Sequence, residues 1–379
     1  MKRETLPANP AVIRWARERA GFTIEEARKT LKSIERWETG LASPSYAQLE
    51  SMSDKFKIPV AVFFFPTPPN VPSIAETFRT LPEQEFEQMP PRIRLLLRKA
   101  KAYQLNLIEL TGGANPAPRH IIHDIAFREN ISIAAAARRV RRYLEVPIDE
   151  QSKWSNDDVA LEKWRRSLES VGVSVFKDAF KVPNYSGFCL YDDEFPIIYV
   201  NNSNAKTRQI FTLFHELAHI LFHTSGIDTL TDDFIQRLPN DAKRIETACN
   251  SFAAEFLLPE NAFNVAFEGR PPTEGTAEYL ADLFHVSREF IYRRFLDRGL
   301  VSQAEYESAS RRWAEQQRTG EGGGNYYYTK IAYLGSNYIN LALSQYYQNR
   351  IDEAQLAEYL DIKPRNLSTF EEYALRGQE

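Results

Sequence analysis

Apolar residues recur at helical spacing through most of the chain and at strand spacing in one central stretch. Val12, Trp15, Ala16 and Arg19 open an amphipathic segment that Gly21 breaks. Thr23 with Glu26 fits a capping box for the next helix. Gly40 and Pro44 mark a turn, and Ser45 starts a further helix that runs through Phe56. Residues 10–65 are therefore predicted to be helical. The stretch 66–72, PTPPNVP, cannot be regular helix, because proline removes a donor and restricts the residue before it. It reads as a linker.

Residues 89–145 are predicted to be mostly helical and are locally basic. Arg92, Arg94, Arg98, Lys99 and Lys101 form one run, and Arg138, Arg139, Arg141 and Arg142 another. A solvated helix face is the plain reading of both, and a phosphate contact the sharper one. Residues 154–170 read as helix. The pattern then changes: 171–176, 186–191 and 195–200 are short, β-branched or aromatic, and bounded by Gly, Pro or Asp, which reads as three strands. Two long helices follow, over about 206–223 and 242–258. Segments 276–300 and 351–375 each have a helix–turn–helix pattern, and GEGGG at 320–324 is a flexible breaker. Strands grouped before helices predict an α+β class within a mainly helical chain.

Composition narrows this picture. The 379 residues allow two or three domains, and 43% hydrophobic residues allow a substantial core. A net charge of −4 gives no global nucleic-acid signal. Two cysteines, Cys189 and Cys249, exclude a disulfide framework and fit a reducing cytosol. The first residues lack the apolar run of a signal peptide, and the longest such run, 58–65, is too short to span a bilayer. A cytoplasmic protein with no membrane partner is expected.

The strongest chemical signal is TLFHELAHILFH. His215 and His219 stand four residues apart, so a helix places both imidazoles on one face, one turn apart. Two neutral imidazoles so placed can bind one Zn²⁺. Glu216 lies about 100° around the helix, where it misses the metal and still reaches a water beside it. That is the general-base position of an HExxH peptidase. The neighbours Phe211, Leu213, Phe214, Leu217, Ala218, Ile220 and Leu221 are apolar, and burying two histidines and a glutamate among them needs a reason.

A catalytic zinc takes three protein ligands as a rule. Glu246, at the edge of the apolar face of IETACNSFAAEFLLP, is the leading candidate for the third, and small residues Ala248, Ala253 and Ala254 allow close helix approach. His223, Asp228, Asp232 and Glu255 are rivals on the residues alone. His223 suits a core or supporting role better than ligation, and Cys249 reads as a buried core thiol rather than a ligand. The runs 196–223 and 245–259 resemble the ImmA/IrrE metallopeptidase family: a strand ending in Asn, then Arg, then Phe-Thr before HExxH, then a second helix with Glu, Ala-x-Asn, Phe-Ala and Leu-Leu-x-Pro. The resemblance covers about 190–300. It implies a zincin-like domain, a small sheet plus the HExxH helix, flanked by helical domains, with Zn²⁺ held by His215, His219 and Glu246. It also implies Glu216 as general base. Tyr185, Tyr191, Tyr199 and Asn202 are candidates for the oxyanion donor.

The N-terminal stretch resembles the Xre-type repressor domain, which reads DNA with the second helix of a helix–turn–helix. Here only RKTLKSIE separates Ala27 from Arg36, fewer residues than the family pattern, so the recognition helix is expected to be truncated or fused to its predecessor. Arg28, Lys32 and Arg36 are the candidate DNA contacts. The segment at 276–300 offers Arg288, Arg293 and Arg294, whereas 351–375 is acidic and reads as a packing module. The expected organisation is an Xre-like domain over 1–70, a helical region over 71–150, the peptidase domain over 151–300 and a helical domain over 301–379.

Two functions are expected from this. The first is a regulatory zinc peptidase acting on one specific protein partner, a repressor-type regulator or a neighbouring-gene product. The second is a DNA-binding or antitoxin-like regulator with a structural or idle zinc site, since the tandem also resembles proteins encoded beside toxin genes. The sequence leaves the oligomeric state open.

Overall fold

In the computed structural model, residues 5–71, 89–128, 131–229, 240–316 and 324–376 are described, and the chain divides into two units, 1–99 and 100–379. The breaker at 320–324 falls largely outside the described residues.

The first unit holds α1 (Pro10–Arg19), α2 (Ile24–Arg28), α3 (Ile34–Glu38), α4 (Tyr46–Phe56) and a 3₁₀ turn (Val60–Phe64). Asn9 caps α1 through Ala11 N–H, and the predicted capping box of Thr23 and Glu26 opens α2. Ser45 and Gln48 form a second box at α4. Val12, Ile13, Ala16, Ile34, Leu49, Met52, Phe56 and Phe63 make the core, and Arg17 bonds buried Glu38 through Nε at 2.7 Å and Nη2 at 3.0 Å. α2 and α3 are separate helices, so the fused alternative does not occur. The truncated one does: α3 has five residues, about 7.5 Å of helix at 1.5 Å per residue.

Helix α5 (Pro91–Thr111) ends in the second unit, which continues with α6 (Ile121–Asp124), α7 (Ile133–Tyr143), α8 (Ile148–Gln151) and α9 (Asp157–Glu169). The strands are β1 (Ser174–Asp178), β2 (Tyr185–Leu190), β3 (Ile197–Asn201) and β4 (Ile227–Thr229), in the order β1-β3-β2-β4. β1 runs parallel to β3, and β2 is antiparallel to both β3 and β4. The first strand starts later than the pattern predicts, because Gly172 turns the chain at φ 89°. β4 is three residues long and leaves no periodicity to read.

Both faces of the sheet are buried, which is why its strands are near-continuously apolar. Val175, Cys189, Ile198 and Val200 share a core with α10 (Lys206–Leu221) and α11 (Asn240–Leu257). On the opposite face Phe188 stacks on Tyr199 at 5.0 Å, and Phe176 stacks on Tyr103 of α5 at 4.5 Å. Every residue of α10 from Thr212 to Leu221 is buried, as expected of a helix that is apolar all round.

The chain continues through α12 (Glu260–Phe267), α13 (Glu274–Phe284), α14 (Arg288–Asp297) and α15 (Gln303–Gln316). The predicted helix–turn–helix at 276–300 is α13 and α14, joined by His285 at φ 55°. The last helices are α16 (Tyr326–Leu334), α17 (Ser336–Tyr347), α18 (Glu353–Tyr359) and α19 (Leu367–Arg376). α16 packs along β1, the parallel edge of the sheet. No helix among the described residues is long and apolar enough to cross a membrane.

One buried charge ties α16 to the sheet domain. Arg165 of α9 donates to Ala332 O at 2.8 Å, to Val175 O of β1, and to Glu169 Oε1 at 3.1 Å. Gly335 lets the chain pass: a Cβ there would meet the Arg165 guanidinium at 2.2 Å. Removing one partner of a buried pair costs about 3–5 kcal/mol, whereas exposed pairs are worth about 0–1 kcal/mol. Arg165→Met is therefore expected to lower urea stability by roughly 3 kcal/mol or more. Arg166→Met, which breaks only the exposed pair with Glu162, is expected to change it by less than about 1 kcal/mol.

Candidate metal centre

The HExxH helix α10 and its partner α11 pack ring on ring. Phe214 stacks on Phe256 at 4.0 Å, and Trp164 of α9 meets Phe214 edge-on at 4.8 Å. This packing fixes the rotation of both helices and turns His215, His219 and Glu246 toward one point. His215 Nε2 lies 3.1 Å from Glu246 Oε1, and His219 Nε2 lies 3.1 Å from Glu246 Oε2. The two Nε2 atoms are 3.2 Å apart. All three residues are buried, at 0%, 5% and 6% exposure.

The far side of each ring decides what the near side presents. His215 Nδ1 is 3.0 Å from Asn250 Oδ1, an amide oxygen that only accepts, so the proton sits on Nδ1. Thr224 donates its hydroxyl to His219 O at 3.1 Å and offers its oxygen to His219 Nδ1 at 3.4 Å. In their neutral form both imidazoles therefore carry their lone pair on Nε2, facing each other and a carboxylate. Three acceptors converging in a buried site repel unless a cation lies among them. Donors on a tetrahedral metal with bonds of about 2.0–2.1 Å stand roughly 3.3 Å apart, close to the spacing seen. Two imidazoles and a carboxylate are a divalent-metal donor set.

The electrostatics say the same. Burial alone lowers the His215 imidazole, yet Glu246, with Asp228 and Glu216, holds it up at about 10. Burial raises the Glu246 carboxyl, and His215 and His219 overcome it, holding it well below the usual carboxylate range. The site thus stabilises positive charge. Glu216 sits apart from the three. It is fully buried, and neither of its oxygens has a hydrogen-bond partner among the described residues. Burial pushes it up to about 7, against the pull of His215 and His219. A buried carboxylate without a geometrically formed hydrogen bond calls for an explanation.

The rivals to Glu246 are placed elsewhere. Asp228 on β4 takes a bidentate bond from Arg208 at 2.7 and 2.8 Å and a third from Thr212 at 2.9 Å. Glu255 accepts the Glu260 amide at the start of α12. Asp232 lies outside the described residues. His223 has neither the core nor the supporting role expected of it. The helix ends at Leu221, so His223 leaves the i, i+4 row at φ 57°, exposed and stacked on Tyr191 at 5.0 Å. Of the proposed oxyanion donors, Tyr199 faces the opposite side of the sheet, stacked on Phe188, and Tyr191 donates to Asp193.

Three residues around the centre escaped sequence reasoning. Asn250 stands one turn after Glu246 on the same face, a signal that was present but unread. Thr224 lies beyond the helix end and gives none. Gly226 is required by close approach: a Cβ there would lie 2.6 Å from the His219 ring.

The basic residues are mostly structural. Arg28, Lys32 and Arg36 are exposed, at the end of α2, in the α2–α3 turn and on α3, and Arg28 pairs with Glu35 at 3.5 Å. Arg294 donates to Ala254 O and Leu258 O at the end of α11. Arg293 pairs with Asp297, and Arg288 with Glu278. Arg141, read as part of a solvated face, is buried. It donates to Val146 O and Phe256 O.

Residues 168–296 match the family Peptidase_M78, described as IrrE N-terminal-like domain. The radiation response metalloprotease IrrE of Deinococcus radiodurans is 33% identical over 99 residues, 26% of this chain and 30% of that protein. Its namesake in Deinococcus deserti is 31% identical over 156 residues, 41% of this chain and 54% of that protein. This chain thus spans about half or less of these curated relatives. A solved Mycobacterium tuberculosis transcriptional regulator aligns at 21% identity with a TM-score of 0.29, over 44% of this chain and 48% of that one. The matched segment holds both helices of the convergent His–His–Glu group, and over residues 168–296 this chain resembles the IrrE N-terminal-like metallopeptidase domain.

Proposed function

We propose that this chain is a regulatory zinc endopeptidase that cleaves one specific protein partner, of repressor type. The observation that carries the reading is the convergence of two Nε2 lone pairs and a carboxylate at 3.1–3.2 Å, with the opposite ring nitrogens tied to Asn250 and Thr224. His215, His219 and Glu246 hold the zinc in this reading. Zinc bound there supplies Lewis-acid chemistry, lowering the pKa of a water and polarising a peptide carbonyl.

The chain's own residues do the rest. Asn250 and Thr224 keep both rings in the ligating tautomer. Glu216 takes a proton from the attacking water and returns it to the leaving amine. Among the described residues only the weak Cys189 thiol stands against it, which leaves it free for that exchange, and its burial sets its proton affinity near neutrality. Asp228, held by Arg208 and Thr212, fixes the edge strand β4 against α10.

Two features support a regulatory role over a digestive one. The similar proteins are named radiation response metalloproteases, and the peptidase domain follows a helical unit of Xre-like pattern. The DNA-binding alternative draws no support from α3, which is five residues long. A repressor encoded next to this chain's gene is the first substrate to try.

Incubated with such a repressor and zinc, the wild type is expected to cut it at a defined bond. Glu216→Gln is expected to keep its zinc and lose about 10²–10⁴-fold in rate, since general base catalysis is worth that much. Gel analysis of the repressor with metal analysis of both proteins checks this. An intact repressor in both lanes, with zinc bound in both proteins, would count against the substrate assignment; cleavage that survives Glu216→Gln would count against the mechanism.

The tautomer argument has its own test. Asn250→Ala leaves all three ligands in place but frees His215, and is expected to weaken zinc by about 10–100-fold. Gly226→Ala displaces the His219 ring and is expected to do the same. Competition with a chromophoric chelator reads both. An affinity unchanged in Asn250→Ala would show that the contact does not orient His215.

A further inference from the structure

A second group of metal-type side chains lies outside this centre and shares no residue with it. His120 precedes α6, His123 lies within it, and Glu194 sits in the β2–β3 loop. One donor atom from each comes within 4.8 Å of the others. The rings of His120 and His123 are 5.2 Å apart.

Their hydrogen bonds fix what they offer. His120 Nε2 is 3.1 Å from Ala117 O, and His123 Nε2 is 2.8 Å from Asp193 O. A backbone carbonyl only accepts, so each ring is protonated on Nε2 and carries its lone pair on Nδ1. A ring nitrogen bonded to a carbonyl behind, with a lone pair in front, is the usual state of a metal-ligating histidine. Glu194 is held as firmly. Its Oε1 accepts the Asn115 amide at 2.6 Å, and its own carbonyl accepts the Asn115 side chain at 2.7 Å. Asp192 Oδ1 accepts the amides of Glu194 and Phe195 at 3.0 and 2.9 Å. The neighbouring cations are engaged: Arg119 pairs with Glu145, and Arg139 donates to Asp124 O. Among the described residues no lysine or arginine is paired with Glu194.

We propose that His120, His123 and Glu194 form an accessory site for a divalent transition metal of borderline character, such as zinc. Two imidazoles and one carboxylate favour such ions over Mg²⁺ and Ca²⁺, which take all-oxygen shells. The site binds more weakly than the peptidase centre, because the group is only partly buried and water competes for its donors. A chain of contacts links the site to His223, two residues beyond the HExxH helix. Asp193, whose carbonyl holds His123, accepts the Tyr191 hydroxyl at 2.5 Å, and Tyr191 stacks on His223.

The test is a zinc titration of the metal-stripped full chain against a chromophoric chelator. Two equivalents are expected, the second at least about tenfold weaker than the first. His123→Ala and Glu194→Gln are each expected to weaken the second by a further tenfold or more, about the loss typical of disturbing a metal ligand set, and to leave the first unchanged. Glu194→Gln keeps an oxygen for Asn115, so the loop stays held, and circular dichroism of both variants checks the fold. His219→Ala is expected to remove the first equivalent and spare the second. A wild type that stops at one equivalent overturns the proposal. So does a second equivalent that survives both variants, or one that millimolar Mg²⁺ displaces.

Discussion

Two imidazole lone pairs and a carboxylate turned to one point in a dry interior repel one another, and the surrounding structure holds them there. Asn250 and Thr224 bind the outer ring nitrogens, so neither ring can swing away to relieve the contact. Gly226 leaves room for the His219 ring where any side chain would push it out. The aromatic stack of Trp164, Phe214 and Phe256 sets the rotation of α10 against α11. The aromatic stack serves the core as well, and together these constraints suit a cation placed among the three acceptors.

The end of α11 shows how the same helix is kept from shifting. Its last carbonyls have no partners within the helix. Arg141 takes Phe256 O, Gln151 takes Leu257 O at 3.0 Å, and Arg294 takes Ala254 O and Leu258 O. Burial lowers the Arg141 guanidinium to about 10 and lowers Arg294 as well, yet both face the negative end of a helix, which favours their charge. These arginines come from α7 and α14, on either side of the peptidase helices in sequence. The helical segments that flank the centre are therefore part of the frame that positions Glu246.

What was legible in the sequence follows from this division of labour. His215, Glu216 and His219 belong to one helix, so spacing alone placed them. Glu246 belongs to another, and its rotation is set by Phe256, Arg141 and Arg294, none of which spacing can evaluate. The family resemblance was needed to prefer it to Asp228, and Asp228 is engaged by Arg208 from β4, a strand too short to announce itself. Basic runs misled for a similar reason. Arg141 and Arg294 look like solvated charge in a linear pattern, and only the fold shows that they cap a buried helix. His223 misled because the helix stops at Leu221, two residues earlier than the imidazole row requires.

Charge balance at the centre bears on which cation it suits. Three buried carboxylates lie close together: Asp228, Glu246 and Glu216. Arg208 neutralises Asp228 through both oxygens. That leaves Glu246, strongly held in its charged form, and Glu216, which burial lifts to about 7. A single proton on His215 offsets one of these and leaves the other to be protonated itself, which is the condition in which Glu216 is a poor base. A divalent ion offsets both, so that Glu216 can be ionised without a partner of its own. Among the described residues no nitrogen or oxygen donor pairs with Glu216, and only the weak Cys189 thiol stands beside it, which agrees with the rest of the site: a strong hydrogen bond would hold the carboxylate still and spend its basicity.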